Sequence, residues 1–267
     1  MISGPKQVVF CDFDGPIVDV SERYYQTYLK GLLAVEQAFG EQRDRLPLPG
    51  RATLPGRATL PGRATLLALR PLSKTQFWQM KRSRVPDIEI AMRSGLPTEL
   101  FQPFMQQVER LVNHPSLLRW DRLQPNARAA LKRFRAGNFR LVVVTLRHPR
   151  QVQDFLSAQG LEHLVDDVYG VLDIHAALAN RVELKCKLLA KAIAQQQAQG
   201  FITQNSWMVG DTEADVIAGQ TLGLSTAALS CGVRSTAYLK QLEPSVVHNC
   251  LMTAAQNVID ALTLKAA

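Results

Sequence analysis

Two pairs of carboxylates carry the chemistry that this chain makes legible. In VVFCDFDGPIVD, residues 8–19, a run of strand-forming residues ends at Asp12 and Asp14, and Gly15 follows at once. In MVGDTEADVIAG, residues 208–219, a second apolar run ends in Gly-Asp at Asp211, and Asp215 follows four positions later. Carboxylates at the end of a buried strand are costly to desolvate unless a cation or hydrogen bonds compensate them. Two adjacent strands that each deliver carboxylates to one edge build a hard-oxygen site suited to magnesium. Between the two clusters, VVVT puts the hydroxyl of Thr145 at another strand end, with Arg147 just beyond. A hydroxyl, free backbone N–H groups and a helix N-terminus form a ready anion site. Lys185 opens an amphipathic helix ahead of the second acidic strand, where its ammonium can reach the same edge; in KCKLLA, Lys187 is its rival. The DxDG pattern also opens calcium loops, but these need further oxygen ligands and a late Glu. Here Pro16, Ile17 and Val18 come next, and a strand precedes.

The elements that must position these groups follow from periodicity. VVF (8–10), FRLVVVT (139–145), DDVYGVL (166–172), SWMVG (206–210) and STAALS (225–230) read as short apolar strands. Helical stretches at 126–137, 149–160, 181–197 and 212–223 lie between them. Alternation of this kind predicts a mostly parallel sheet covered on both faces, with ligands at the carboxyl ends of its strands. Residues 21–120 differ: they read as helices with no convincing strand, so the expected fold class is α/β, a Rossmann-like parallel-sheet core with an inserted α-helical cap. The expected division is 1–20 core, 21–120 cap and 121–267 core.

Within the cap, LPGRAT occurs three times in a row over residues 48–65. Three copies of a six-residue period are too few to bury a core, and each Pro-Gly interrupts a helix. A tandem duplication tolerated in a surface loop accounts for it. Asp19 and Glu22 have capping-box spacing at the entry of the first cap helix. Glu213, one position past Thr212, favours a helix N-terminus. Trp78, Lys81, Arg82 and Arg84 read as a solvated helix face, Phe101, Phe104, Met105 and Val108 as core, and His148 as structural.

In this order the signatures DFDGPIVD, the Thr after VVV, a Lys and GDTEAD resemble the haloacid dehalogenase-like (HAD) superfamily of phosphohydrolases. The resemblance covers nearly the whole chain, and the DGxxxD and GDTxxD runs bring it closest to the phosphoglycolate phosphatase-like group. It implies a magnesium-dependent phosphatase acting on a small phosphorylated metabolite, phosphoglycolate-like or a sugar phosphate. Asp12 would be the nucleophile that forms an aspartyl-phosphate, and Asp14 the acid and then the base. Thr145, Arg147 and Lys185 would bind the substrate, with Thr145 and Lys185 also in the catalytic set. Magnesium would be held by Asp12, the carbonyl of Asp14, Asp211 and Asp215. Two departures accompany the match: Pro16 stands where relatives usually carry Thr or Val, and the common Lys-Pro pair of the third signature is absent. A phosphomutase on the same scaffold, or a non-catalytic member that binds nucleic acid or protein, are the alternatives.

The bulk composition sets the frame for this reading. The chain has 267 residues, 46% hydrophobic and 20% charged, which is ordinary for a globular protein and enough to bury a sizeable core. No window approaches the roughly 18 apolar residues of a membrane span. The first residues carry no secretory pattern, so a cytoplasmic location and no membrane partner are expected. The four cysteines, Cys11, Cys186, Cys231 and Cys250, are scattered without a CxxC pair and read as free thiols. A formal charge of +8 favours acidic partners. No dense Lys/Arg tract interleaved with aromatics marks a nucleic-acid module.

Overall fold

The computed structural model of the chain describes residues 6–45, 69–174 and 176–266; the LPGRAT repeat lies outside them. Each apolar run becomes a strand: β1 (Gln7–Cys11), β4 (Arg140–Val144), β5 (Asp167–Tyr169), β6 (Ile202–Gly210) and β7 (Ser225–Leu229). Three short strands were not legible as such: β2 (Val18–Asp19), β3 (Arg122–Leu123) and β8 (Val246–His248). Six of the eight form one sheet in the order β5-β4-β1-β6-β7-β8, parallel throughout. From β1 the chain builds outward to β4 and β5, then returns to the other side of β1 for β6, β7 and β8. The strand order therefore reverses between β1 and β6, and a crevice at the carboxyl ends is expected there.

The period of two along the strands sorts the core into two layers. On one face, Val9, Cys11, Leu141, Val143, Trp207 and Val209 share a cluster with buried residues of three helices. These are α6 (Ala127–Ala136), α7 (Pro149–Ala158) and α12 (Leu251–Ala266). On the other face, Val8, Phe10, Val142, Val144 and Met208 pack with Leu189, Ala192 and Ala218. Those last three come from α9 (Val182–Ala198) and α10 (Glu213–Thr221). Both faces of the sheet are covered, as the near-continuous apolar strands require.

Among the described residues, five α-helices lie between β2 and β3: α1 (Ser21–Arg45), α2 (Lys74–Arg82), α3 (Asp87–Arg93), α4 (Phe101–Val112) and α5 (Pro115–Leu118). The first four form their own apolar cluster around Tyr28, Leu32, Phe77, Ile90 and Phe104. The Tyr28 hydroxyl lies 2.6 Å from Ser94 Oγ and accepts a bond from Leu72 N at 2.7 Å, tying α1 to the segments on either side of α2 and α3. The chain enters and leaves this helical insertion through the antiparallel β2–β3 pair, Val18 opposite Leu123. Asp19 does not form the expected box with Glu22. It accepts from Ser21 N at 2.8 Å in a local turn, whereas Glu22 pairs with Lys74 and accepts from Gln26. Two short helices complete the described set, α8 (Ala176–Ala179) and α11 (Thr236–Lys240).

Phe10 is fully buried in the second-face cluster. Phe10→Ala is expected to cost about 3–5 kcal/mol of folding stability, read from the denaturant midpoint. A loss below about 1 kcal/mol would overturn this placement of the core.

Candidate active site

β1 and β6 run side by side with Cys11 opposite Val209, and Asp12 N donates to Val209 O at 2.8 Å. The residues just past the two strands are therefore neighbours. Asp12, Asp211 and Asp215 are all buried, and one carboxylate oxygen from each lies within 4.8 Å of the others. Asp215 reaches this group from the first turn of α10. Its Oδ2 accepts from Thr212 N, Thr212 Oγ1 and Asp211 N, leaving Oδ1 to face the cluster.

One cation sits among the three anions. Lys185 is 1% exposed, and its Nζ lies 3.0 Å from Asp12 Oδ1 and 2.6 Å from Asp215 Oδ1. Lys187 is exposed on the same helix, so the geometry separates the two candidates. Burial lowers the Lys185 pKa, but Asp12 and Asp215 outweigh it and hold the ammonium above its ordinary value. Burial and the charge of Asp215 raise Asp12 to about 7 against the opposing pull of Lys185. Burial, Asp215 and Asp12 likewise push Asp211 well above the usual carboxylate range. Asp211 Oδ2 accepts from Val233 N at 2.5 Å, while its Oδ1 is buried without a hydrogen-bond partner. Three hard-oxygen donors, one of them orphaned, fit a divalent cation of the magnesium type.

Space for Asp211 is made by glycines. Gly15 has φ +98°, and a Cβ there would collide with the Asp211 carboxylate; a Cβ on Gly232 would do the same from the opposite side. The Gly in DFDG is thus required both by backbone conformation and by the close approach of the second acidic cluster.

Asp14 faces a second set of charges. Its Oδ2 accepts from Arg23 at 2.6 Å and its Oδ1 from Arg147 at 2.9 Å. Both guanidiniums also pair with the buried Asp121, at 3.0 and 2.8 Å, closing an alternating ring Asp14–Arg23–Asp121–Arg147. Burial raises Asp14, but the two arginines outweigh it and hold the carboxyl below its ordinary range. The two motif carboxylates are pushed apart, Asp12 up and Asp14 down, the reverse of the order that an attacking carboxylate and a general acid need in a first step.

Thr145 is buried at the end of β4, and its Oγ1 accepts from Arg147 N at 3.2 Å. Asp12, Asp14, Thr145 and Lys185 line one cleft, together with Tyr24 and Lys81 from the cap and Arg234 from the loop after β7. Arg147, expected at the substrate, is not among the residues lining that cleft. Its guanidinium is 1% exposed, stacked 5.3 Å from the Phe13 ring centroid and committed to Asp14 and Asp121.

The cap residues expected to face solvent instead touch the core. Arg82 donates to Ser230 O at 2.6 Å, and Arg84 pairs with Glu213 at 2.8 Å. Glu213 also holds Arg234 through two bonds of 2.7 and 3.0 Å. Burial raises the Glu213 pKa, but hydrogen bonding and charge from Arg234 dominate and bring it to about 2. Arg23, Asp121 and Arg234 were missed in the sequence. Only Arg234 carried a signal, because CGVRS follows a strand and strand ends gather ligands. His148 accepts from Arg150 N at 3.2 Å and caps α7. Among the described residues all four cysteines are free, and no helix is long and apolar enough to cross a membrane.

A doubly wound parallel sheet with an inserted helical cap, and acidic loops at its topological switch, define a class of hydrolase. The haloacid dehalogenase-like hydrolase family model matches residues 6–223, and the chain belongs to that family. It is 28% identical over 127 residues to a phosphoglycolate phosphatase of Haemophilus influenzae, covering 48% of this chain and 53% of that protein. It is 24% identical over 136 residues to pyrophosphatase PpaX of Halalkalibacterium halodurans, covering 51% and 58%. The chain thus matches little more than half the length of these curated relatives. Among solved structures, a predicted phosphatase from Clostridium acetobutylicum superposes with TM-score 0.61 at 14% identity, covering 97% of this chain and 100% of that one. A predicted phosphoglycolate phosphatase from Haemophilus somnus gives TM-score 0.58 at 18% identity, covering 94% and 97%. These structural likenesses establish the fold.

The ring generates a stability prediction. Asp121→Ala leaves two buried guanidiniums sharing one carboxylate and is expected to cost about 3–5 kcal/mol, measured by chemical denaturation. A cost near that of a surface substitution would show that the ring carries no such constraint.

Proposed function

We propose that the chain is a magnesium-dependent phosphatase that hydrolyses a small phosphate monoester through an aspartyl-phosphate on Asp12. The observation that supports this best is the convergence at one strand edge of Asp12, Asp14, Thr145 and Lys185 on a single cleft, with Asp211 and Asp215 behind Asp12. Asp12 attacks phosphorus, and hydrolysis of the resulting acyl phosphate regenerates it, splitting one difficult step into two. Thr145 donates its hydroxyl to a phosphoryl oxygen. Lys185 offsets charge on the nucleophile and on the transferring group in a site with little water to screen it. Asp12, the Asp14 carbonyl and Asp211 would hold magnesium, with Asp215 beside them. Magnesium there supplies charge neutralisation for the carboxylates and the phosphoryl oxygens.

Asp14 serves the proton steps. Ionised between Arg23 and Arg147, it is ready to accept a proton from the water that attacks the acyl phosphate. To protonate the leaving alkoxide first, it must carry a proton, which calls for at least one of these two arginines to loosen. We assign Arg147 the positioning of Asp14 rather than a grip on substrate. We also draw the insertion boundaries near residues 20 and 120, giving 1–20 core, 21–120 cap and 121–267 core, because β2 and β3 pair where the chain crosses.

The test is phosphate release from a panel of phosphorylated metabolites with and without magnesium. Wild type is expected to release phosphate only with the metal, Asp12→Asn to release none, and Asp14→Asn to fall by about 10²–10⁴-fold. Magnesium-dependent turnover retained in Asp12→Asn, with deamidation excluded by mass spectrometry, would remove Asp12 as the nucleophile. Isomerisation of a sugar phosphate without phosphate release would replace the phosphatase by a mutase.

A further inference from the structure

The cleft above Asp12 does not end at the chemistry. A second chamber in the cap shares Tyr24, Lys81 and Leu178 with it. The walls of this chamber are mainly apolar, Phe77, Phe104, Met105 and Val108 among them, and Thr27 and Asp87 are its further polar members. Phe104, Met105 and Val108 of α4 are therefore more than packing residues: one edge of the helix's apolar face borders an internal space. The chamber measures about 40 Å³. A water-sized sphere needs roughly 10–15 Å³ by this measure, so the chamber has room for about three such spheres.

The charges around the cleft decide what kind of leaving group belongs there. Among the described residues lining it, the cations are Lys81, Lys185 and Arg234. Lys81 Nζ pairs with Asp87 Oδ1 at 2.7 Å. Lys185 pairs with Asp12 and Asp215, and Arg234 with Glu213. Each described cation is matched by a carboxylate of the protein. A substrate with a second anion beyond its phosphate, such as phosphoglycolate, would find no uncommitted positive charge among the described residues lining that side. Its carboxylate would have to break one of these pairs or be desolvated against aromatic and aliphatic walls.

Resting on the phosphatase reading above, we infer that the substrate is a monophosphate ester of a short, uncharged, mainly apolar alcohol. The phosphate lies over Asp12, Thr145 and Lys185. The body of about three to four carbons passes between Tyr24 and Lys81 into the chamber against Phe104, Met105 and Val108. The relatives' phosphoglycolate activity is then not this chain's, and the difference lies in the cap rather than in the catalytic edge.

Non-hydrolysable phosphonates separate this inference from the phosphatase reading. Affinities of methylphosphonate, butylphosphonate and 2-carboxyethylphosphonate for the magnesium-supplemented protein are measured by titration calorimetry. Butylphosphonate is expected to bind about tenfold or more tighter than methylphosphonate, since each buried methylene contributes roughly 0.8 kcal/mol. The 2-carboxyethyl compound should gain nothing over methyl. Val108→Trp fills the chamber and should erase the butyl preference; its fold is checked by thermal melting. Should that variant not fold, Met105→Gln, similar in volume and half-buried in the wild type, is expected to shrink the same ratio. Equal affinities, a preference for the carboxylate, a butyl preference untouched by the chamber variants, or no binding at all would each overturn the inference. Turnover of butyl phosphate and phosphoglycolate completes the separation. Faster turnover of phosphoglycolate sinks the chamber assignment and keeps the phosphatase. A butyl preference in binding without phosphate release from any ester keeps the chamber and sinks the phosphatase.

Discussion

The structure depends on placing three carboxylates in a buried site with one ammonium to match them. Asp12, Asp211 and Asp215 crowd around Lys185, and an unpaired charge in such a place costs several kcal/mol. Everything nearby serves that arrangement. The sheet order brings the ends of β1 and β6 together. Gly15 and Gly232 clear the volume that Asp211 occupies. Asp215 divides its two oxygens between capping α10 and meeting Lys185. The excess of carboxylates over ammonium that remains is the kind of donor set that could hold a divalent cation.

A different solution holds Asp14. There the charges balance within the protein, two carboxylates against two guanidiniums, and the ring draws its members from four places in the chain. Arg23 lies in the first turn of α1, where the chain enters the helical insertion, and Asp121 lies just before β3, where it returns. The ring therefore fastens the entrance of the cap to the acidic loop. Ion pairs of this kind contribute specificity of geometry more than net stability, since a well-packed apolar replacement can be as stable. Their usefulness here is that Asp14 cannot change its charge or position without disturbing both cap connections.

How legible this was depended on the range of the interaction. Asp12, Asp14, Thr145 and Asp211 could be placed because each sits at a fixed offset from an apolar run, and the sheet does the rest; the preference for Lys185 over Lys187 comes from the family resemblance. Arg23 and Asp121 could not. They are separated by about a hundred residues, lie in segments with no distinguishing pattern, and meet only through tertiary packing. The strand β8 was missed for a related reason: VVH is too short to show alternation, and pairing with β7 alone makes it a strand. Arg82 and Lys81 misread as solvent-facing because helical periodicity identifies a polar face without saying whether another part of the protein, rather than water, lies opposite it; Arg84 does stay about half exposed.

The two attachments of the cap to the core differ in burial and in strength. At the hinge, Arg23, Asp121 and Arg147 of the ring are buried, and Asp14 opens towards the cleft. At the far edge, Arg84 is 49% exposed where it meets Glu213, and an exposed pair contributes at most about 1 kcal/mol. Arg82 adds two bonds, donating to Ser230 O and accepting from Ser235 N at 2.9 Å, and Arg234 donates to Lys81 O at 3.3 Å. Glu213 itself is anchored to the core through Arg234, so parting the edge leaves no buried carboxylate unpaired. Separation of the edge is thus inexpensive, and separation of the hinge is not. The buried ring at the β2–β3 crossing is therefore the firmer attachment, and Asp14 is held by the same side chains that join the chain's entry into the cap to its return.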